Sequence, residues 1–283
     1  MKINEYLQNF TNDGFVKIEN AINKKLILKV NNSILNVLNE KKNNFNSLDQ
    51  TSGAFKKIFI SRKNNNLDLF NAQKNIYRHL DEQGCLEDLI SSEKIHQIIS
   101  KMLGSDLEYQ KQNEFIINIS KKEKQNYLFK KFHQEVWSGA STNTILIWIP
   151  LFQQSTNGQM KLVQNSHIWG HIPHHDKEPI KIPKGAKYLE SNCKIGDVIL
   201  FHALTLHSSS PLKKNNDVVG RLSMAVRNFK YPKNGIEDLN DWKKYSYSPN
   251  TIIEKKLGNP YLSPFRLSFQ NILKHPLRKY KFK

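Results

Sequence analysis

Residues 131–137 read KFHQEVW and place His133 two positions before Glu135. On an extended strand, side chains two positions apart point to the same face, so this imidazole and this carboxylate could share one metal ion. His207 offers a third ligand at the end of FHALTLH (201–207), just after an apolar strand that follows the turn at 195–197. Short β-branched segments separated by turn residues surround both stretches. This pattern is typical of a closed or sandwiched antiparallel barrel.

Two histidines and one carboxylate are the ligand set of non-haem Fe(II) oxygenases, because they occupy one face of an octahedron and leave positions open for a cosubstrate and O2. A His-x-Glu tripeptide alone is weak evidence, since it often arises by chance. The residues around it strengthen the interpretation, because they form an ordered series: Gln134, Trp148, Asn157-Gly158, Ser166-His167, residues 196–201, Pro211 and Arg221.

This series resembles the phytanoyl-CoA dioxygenase family, from Gly14-Phe15 to about Asn228 and most strongly from His133 to Arg221. The resemblance implies an α+β fold whose core is a double-stranded β-helix, a jelly-roll or cupin-like barrel, buttressed by N-terminal helices. It also implies an enzyme that binds Fe(II) and uses 2-oxoglutarate and O2. In this reading His133 and Glu135 match the family's first histidine and acidic ligand, and His207 matches its distal histidine.

Arg221 matches the arginine that binds the far carboxylate of 2-oxoglutarate in the family. A planar guanidinium suits this role because it can form two parallel charge-assisted hydrogen bonds with a carboxylate, which lysine cannot imitate. Arg227, six residues on and expected on the same strand face, is the alternative for this role. By the same resemblance, five further residues are expected in or near the cosubstrate pocket: Trp148, Gln134, Phe115, Ser209 and Asn118.

The chain departs from the family pattern in three places. The acidic ligand is glutamate where most of the family has aspartate, the Pro-Gly-Ser-His turn is replaced by residues 164–167 (QNSH), and the turn before Arg221 is longer. We expect iron binding to survive these changes. Because related halogenases typically lack the carboxylate ligand, its presence disfavours halogenation.

Other histidines compete for a functional role. His171, His174 and His175 lie close to Asp176, but a polar, proline-interrupted run without a fixed ligand period is usually solvated surface. We expect His167 to stabilise its turn, and His202 to have the wrong strand parity for the same ion. Trp137 and Trp169 could line a substrate cavity, and packing is an equal alternative for both.

The 283 residues are expected to form one domain, with mainly helical support over 1–104, a β-barrel core over 105–230 and a C-terminal extension over 231–283. Hydrophobic periodicity predicts helices over 3–10, 24–41, 67–80 and 92–103, with a polar stretch between the second and third. Predicted strands cover 14–18, 114–119, 144–151, 160–163, 198–201 and 222–226.

The formal charge of +18 could attract nucleic acid, anionic lipid or an anionic substrate. Solvated surface lysines are the simpler reading, because no zinc finger, helix-turn-helix or RNA-binding aromatic signature accompanies the charge. Nucleic acid is therefore not expected as a partner, and the basic tail 275–283 offers only a weak contact with a membrane surface. No apolar run approaches a membrane span or a signal peptide, and Cys85 and Cys193 form no motif, so we expect a cytoplasmic protein with two reduced packing thiols.

We therefore expect a 2-oxoglutarate-dependent dioxygenase that hydroxylates a small or carrier-bound metabolite, an anionic one included, with release of succinate and CO2. Hydroxylation is the default reaction, and desaturation or ring formation stay open. Two alternatives are a catalytically silent barrel that binds a ligand, since a fold does not guarantee chemistry, and an oxygenase that acts on nucleic acid.

Overall fold

A computed structural model describes residues 3–39, 44–61, 69–111, 114–119, 131–152, 158–210, 212, 218–231 and 242–252. Several predicted features lie outside these residues: the basic tail, Asn157, Pro211 and the first two residues of the helix predicted over 67–80. Within the described part of the chain, no helix has the length and apolar character needed to cross a membrane.

Six helices precede most of the sheet: α1 (Ile3–Asp13), α2 (Lys24–Asn39), α3 (Leu48–Ser61), α4 (Leu69–Glu82), α5 (Cys85–Ile90) and α6 (Glu93–Leu103). The side chain of Asn23 caps α2 by accepting the backbone N–H of Lys25 at 2.9 Å. The predictions of α1, α2, α4 and α6 are confirmed. The sequence predicted only a polar stretch after α2, and this prediction is wrong over α3. Phe55 and Phe59 lie one turn apart on this helix and are both buried against the core.

The strands form two main antiparallel sheets. The major sheet contains β1 (Phe15–Ile18), β2 (Leu107–Gln110), β3 (Glu114–Ile119), β4 (Thr144–Phe152), β9 (Val198–His202), β11 (Val218–Asn228) and β12 (Trp242–Ser246). Their order in the sheet is β1-β9-β4-β11-β2-β12, with β3 also paired to β11. β12 lies in the predicted C-terminal extension and pairs with β2, so this part of the extension belongs to the major sheet.

The minor sheet has the order β10-β5-β8, formed by β5 (Met160–Val163), β8 (Tyr188–Glu190) and β10 (His207–Ser209). A separate two-stranded hairpin joins β6 (His174–His175) to β7 (Glu178–Pro179). Side chains from the major and minor sheets line one common pocket. The expected fold, a double-stranded β-helix supported by N-terminal helices, is confirmed.

Alternation along β11 separates the two faces of the major sheet. Leu222, Met224 and Val226 pack into the core that the sheet shares with the helices. The intervening positions, Arg221, Ser223, Ala225 and Arg227, lie on the opposite face, as the period of two in a strand requires. The first of these residues therefore points into the barrel rather than toward the helical layer.

Candidate metal and cosubstrate site

The three predicted metal ligands come together inside the barrel. Oε1 of Glu135 lies 3.2 Å from Nε2 of His207 and 3.5 Å from Nε2 of His133. One ligand atom from each of the three residues lies within 4.8 Å of the others, a spacing that a single metal ion can bridge. The convergence predicted from the His-x-Glu spacing and the distal histidine is thus present.

Backbone hydrogen bonds hold the ligand-bearing segments together. The N–H of His133 donates to the carbonyl of His207 at 2.9 Å, the reverse bond is 3.0 Å, and the N–H of Glu135 donates to the carbonyl of Ala203 at 3.1 Å. The prediction of a strand through both ligands is wrong, because only an isolated bridge forms at His133 and a 3-10 helix begins at Glu135. The side chains still converge because Gln134 keeps extended backbone angles, φ −111° and ψ 143°.

Both imidazoles are oriented by a hydrogen bond from Nδ1 to the backbone carbonyl two residues earlier. Nδ1 of His133 lies 2.7 Å from the carbonyl oxygen of Lys131, and Nδ1 of His207 lies 2.9 Å from that of Thr205. A carbonyl can only accept, so each Nδ1 carries a proton, and Nε2 is the ring nitrogen left to bind a metal beside Glu135. This is the arrangement in which a histidine binds a metal and donates its other N–H to an outer partner.

The electrostatic setting favours a neutral imidazole at His207. Burial lowers the pKa of His207, and the nearby His133 lowers it further, although the carboxylate of Glu135 opposes the shift. Nε2 of His133 is buried and forms no hydrogen bond with any described residue. Such an atom costs free energy unless a ligand satisfies it, and the donor set fits Fe(II).

Arg221 lies in the same pocket, 3% exposed. Its Nη1 donates to the carbonyl of Gly158 at 3.0 Å, and its Nη2 donates to Oγ of Ser209 at 3.1 Å and to Oδ1 of Asn118. The guanidinium carbon lies 5.9 Å from the centre of the Trp148 ring. Three of the predicted pocket residues therefore surround the predicted anion-binding arginine.

Two predicted pocket residues lie elsewhere. Phe115 is buried in the core on the far face of β3, and Ile116 lines the pocket instead. Phe115 and Asn118 are three positions apart, so a regular strand cannot present both to one pocket, and this signal was available in the sequence. Gln134 does not point inward either: its amide bonds to the backbone of Gly170, Leu204 and Ile172.

The lining of the pocket also includes residues that sequence reasoning missed. Five lie on strands of the two sheets: Ile116, Met160, Phe201, Ser208 and Ser223. Strand alternation could have identified Ser223, because it lies two positions after Arg221 on β11. Nothing in the sequence alone fixed how β5 and β9 register against the ligand-bearing segments.

Arg227 lies on the predicted face of β11 but outside the pocket. Its Nε donates to Oε1 of Glu108 at 2.8 Å, and its guanidinium carbon lies 3.7 Å from the ring centre of Trp242. Both charged side chains are almost fully buried. The structure therefore places Arg227 in a buried ion pair, which leaves Arg221 as the arginine of the pocket.

The other histidines that the structure describes do not form a second metal-binding cluster. Among the described residues, the triad is the only group of three or more acidic, histidine or cysteine side chains that could hold a metal. His167 bonds through Nε2 to the carbonyl of Thr11 at 3.0 Å and so pins its turn to α1. Nδ1 of His202 accepts the N–H of Leu204 at 3.0 Å, and burial, with His167 nearby, lowers the pKa of His202 to about 4. Trp137 and Trp169 both pack, partly buried, against a small apolar cluster.

The sequence model of one protein family, phytanoyl-CoA dioxygenase (PhyH), matches residues 10–215. The chain belongs to this family. The matched segment contains all three predicted metal ligands and stops six residues before Arg221. Membership, together with the His-Glu-His cluster, makes the protein a 2-oxoglutarate-dependent oxygenase with iron as its metal.

Several solved structures share the fold of this PhyH chain. The non-haem monooxygenase ThoJ is 16% identical with a TM-score of 0.60, covering 85% of this chain and 83% of its own. The epimerase SnoN, solved with Fe3+, α-ketoglutarate and nogalamycin RO, is 15% identical with a TM-score of 0.55, covering 80% and 83%. AviO1 from Streptomyces viridochromogenes Tue57 is 13% identical with a TM-score of 0.54, covering 82% and 97%. No curated protein matches the sequence.

Proposed function

We propose that His133, Glu135 and His207 bind Fe(II), that Arg221 binds the distal carboxylate of 2-oxoglutarate, and that the enzyme hydroxylates a small or carrier-bound metabolite. Succinate and CO2 would be the co-products. The observation that carries this proposal is the convergence of three ligand atoms in a pocket that also contains a buried arginine. When bound, iron and 2-oxoglutarate supply the activation of O2, and the protein supplies position and electrostatics.

The residues around the triad have separable tasks. The two imidazoles direct Nε2 toward the metal position because their Nδ1 protons are committed to backbone carbonyls. Arg221 provides a fixed positive charge whose orientation is set by Gly158, Ser209 and Asn118. Trp148 and Ile116 contribute an apolar wall, which strengthens the interaction between this arginine and a carboxylate by keeping water away.

Anaerobic titration of the purified protein with Fe(II) and 2-oxoglutarate tests this function directly. Binding of 2-oxoglutarate to the protein-bound Fe(II) should produce a weak visible charge-transfer band that requires both components. A protein that binds iron but never develops the band would be a metal protein of another kind, and one that binds neither would be the catalytically silent barrel.

A groove beside the metal pocket supports the proposal that the substrate is anionic. It has a volume of about 370 Å³ and shares Ser208 and Ser209 with the metal pocket. Lys131 and Lys161 lie along it, although Lys131 is paired with Glu178. These dimensions suit a small molecule, or the end of a carrier-bound one, better than a nucleic acid duplex. Succinate release stimulated by anionic rather than neutral candidate metabolites would support this substrate class.

We further propose that the chain is a single domain and acts in the cytoplasm. One apolar core contains residues from the helices and from the strands of the major sheet, which supports a single folding unit. Both cysteines are buried and unbridged, and burial raises the pKa of each thiol. Inert, reduced thiols of this kind are usual in a reducing compartment.

Substitution of Glu135 tests the acidic ligand. Glu135→Asp should retain partial activity, because the carboxylate is kept but withdrawn by one methylene. Glu135→Ala should bind iron more weakly and leave one more coordination position open. The comparison is made by iron titration and by succinate formation, and turnover at the parental rate in Glu135→Ala would remove the carboxylate from the ligand set.

Substitution of Arg221 tests the cosubstrate. Arg221→Ala removes a charged hydrogen-bond donor worth on the order of 1.5 to 3 kcal/mol, so the affinity for 2-oxoglutarate should fall at least about tenfold. Iron affinity measured without cosubstrate should change little. Arg221→Lys should recover only part of the loss, since it lacks the planar fork.

The exposed Arg78 of α4 provides the control for this experiment, because Arg78→Ala removes equal charge far from the pocket. It should leave 2-oxoglutarate binding unchanged. Equal affinity for 2-oxoglutarate in Arg221→Ala and in the parent would mean that another group binds the carboxylate.

A further inference from the structure

The ligand segment 131–138 makes contacts outside the barrel that the proposed chemistry does not use. Gln134 lies between two metal ligands but is itself fully buried and points away from the metal. Its Nε2 donates to the carbonyls of Gly170 at 2.9 Å and Leu204 at 2.6 Å, and its Oε1 accepts the N–H of Ile172 at 2.9 Å. One side chain thus ties the ligand segment to two other segments of the chain.

Further contacts connect the same segment to the β6–β7 hairpin. The ring of Trp137 stacks on that of His174, with centroids 4.5 Å apart and an angle of 26° between the planes. Lys131 forms an ion pair with Glu178 at one end of the ligand segment, and Lys177 lies 3.4 Å from the hydroxyl of Ser138 at the other. Residues 170–179 therefore contact the ligand segment along its whole length.

The need for such support follows from the local backbone. Only His133 belongs to a β-bridge, and Glu135 opens a four-residue 3-10 helix, an element with poorer hydrogen-bond geometry than a strand or an α-helix. The position of the Glu135 carboxylate is thus not fixed by a ladder of strand hydrogen bonds. Outer partners that orient metal ligands commonly change metal affinity about 10- to 100-fold when they are removed.

We propose that residues 170–179 act as a clamp that holds His133 and Glu135 in the geometry the metal requires, with Gln134 as its central positioning residue. This inference rests on the proposed metal site. It assigns the buried amide a role in metal affinity rather than in lining the cosubstrate pocket. The His174–Trp137 stack is the outer, half-buried part of the same clamp.

A pair of glutamine variants tests the clamp. Gln134→Met keeps side-chain length and removes all three hydrogen bonds. Gln159→Met is the matched control, because Gln159 is also buried and bonds through its amide to the backbone of Cys193 and to Ser191, away from the ligands. We expect similar losses of stability in the two variants but a roughly tenfold or greater loss of Fe(II) or Co(II) affinity only in Gln134→Met.

The visible spectrum of the Co(II)-substituted protein gives a second readout, because its bands report ligand geometry and should change in Gln134→Met but not in Gln159→Met. Equal metal affinity and an unaltered spectrum in both variants would show that Gln134 supports the fold and does not position the metal ligands. Absence of metal binding in the parent would instead count against the proposed metal site, so the two failures are distinguishable.

A milder pair of variants covers the case in which Gln134→Met does not fold. His174→Ala removes the stack on Trp137 at a half-buried position, whereas His96→Ala alters a half-buried histidine of α6 whose ring contacts Tyr245, outside the clamp. We expect a several-fold loss of metal affinity in the first and none in the second. Parental metal affinity in a folded His174→Ala would overturn the role of the hairpin in the clamp.

Discussion

His133→Ala and His207→Ala should each abolish retention of Fe(II) and turnover of 2-oxoglutarate while leaving the fold largely intact. Each change removes one of the three proposed protein ligands, and the two that remain cannot hold one face of an octahedron. Iron content after desalting, succinate formation and far-ultraviolet circular dichroism measure the three parts of this expectation.

The fold should survive because the bonds that join the two histidine segments are made by the backbone. The N–H and carbonyl groups of His133 and His207 bond to each other, and alanine keeps both bonds. His79→Ala is a suitable control, since this histidine lies on α4, outside the metal pocket, and its ring bonds to the hydroxyl of Ser33. It should retain iron at the parental level. Full iron occupancy in either ligand variant would contradict the assignment of the triad.

The elements that strong local patterns determine were predictable from sequence. β3 and β5 have the predicted bounds, 114–119 and 160–163, because β-branched and apolar residues occur there in short runs bounded by turn residues. The candidate triad was predictable because the residues around the His-x-Glu pair resemble the PhyH family, and the structure brings its three side chains together. The same reasoning identified Arg221, whose surroundings include three further predicted residues.

Elements that depend on partners were not predictable in the same way. β10 has only three residues, His207–Ser209, and exists because it pairs with β5. α3 was not predicted because polar stretches flank it in the sequence, although Phe55 and Phe59 bury one face of the helix. The role of Gln134 depends on Gly170, Ile172 and Leu204, which are distant in sequence. Such contacts are set by tertiary structure, and a residue's neighbours in sequence do not report them.

The buried pair of Arg227 and Glu108 gives the largest expected effect on stability. Arg227 is 1% exposed and Glu108 is 3% exposed, and their side chains meet at 2.8 Å. Removal of one partner from a buried ion pair leaves the other charge without compensation, which typically costs about 3 to 5 kcal/mol. Arg227→Ala should therefore lower the free energy of unfolding by an amount of that order, seen as a lower urea midpoint with an unchanged m-value.

The same variant series separates the two arginines on one face of β11. Arg227→Lys keeps the charge near Glu108 but loses the planar group that lies 3.7 Å over Trp242, so it should destabilise less than alanine while binding 2-oxoglutarate with parental affinity. Changing both partners, Arg227→Met with Glu108→Gln, removes both formal charges and should recover much of the stability. A loss of 2-oxoglutarate affinity in folded Arg227→Lys, with none in Arg221→Ala, would transfer the carboxylate-binding role to Arg227. Because Arg221, unlike Arg227, lies in the pocket with the three proposed metal ligands, we expect the opposite result: a loss of cosubstrate affinity at position 221 and a loss of stability at position 227.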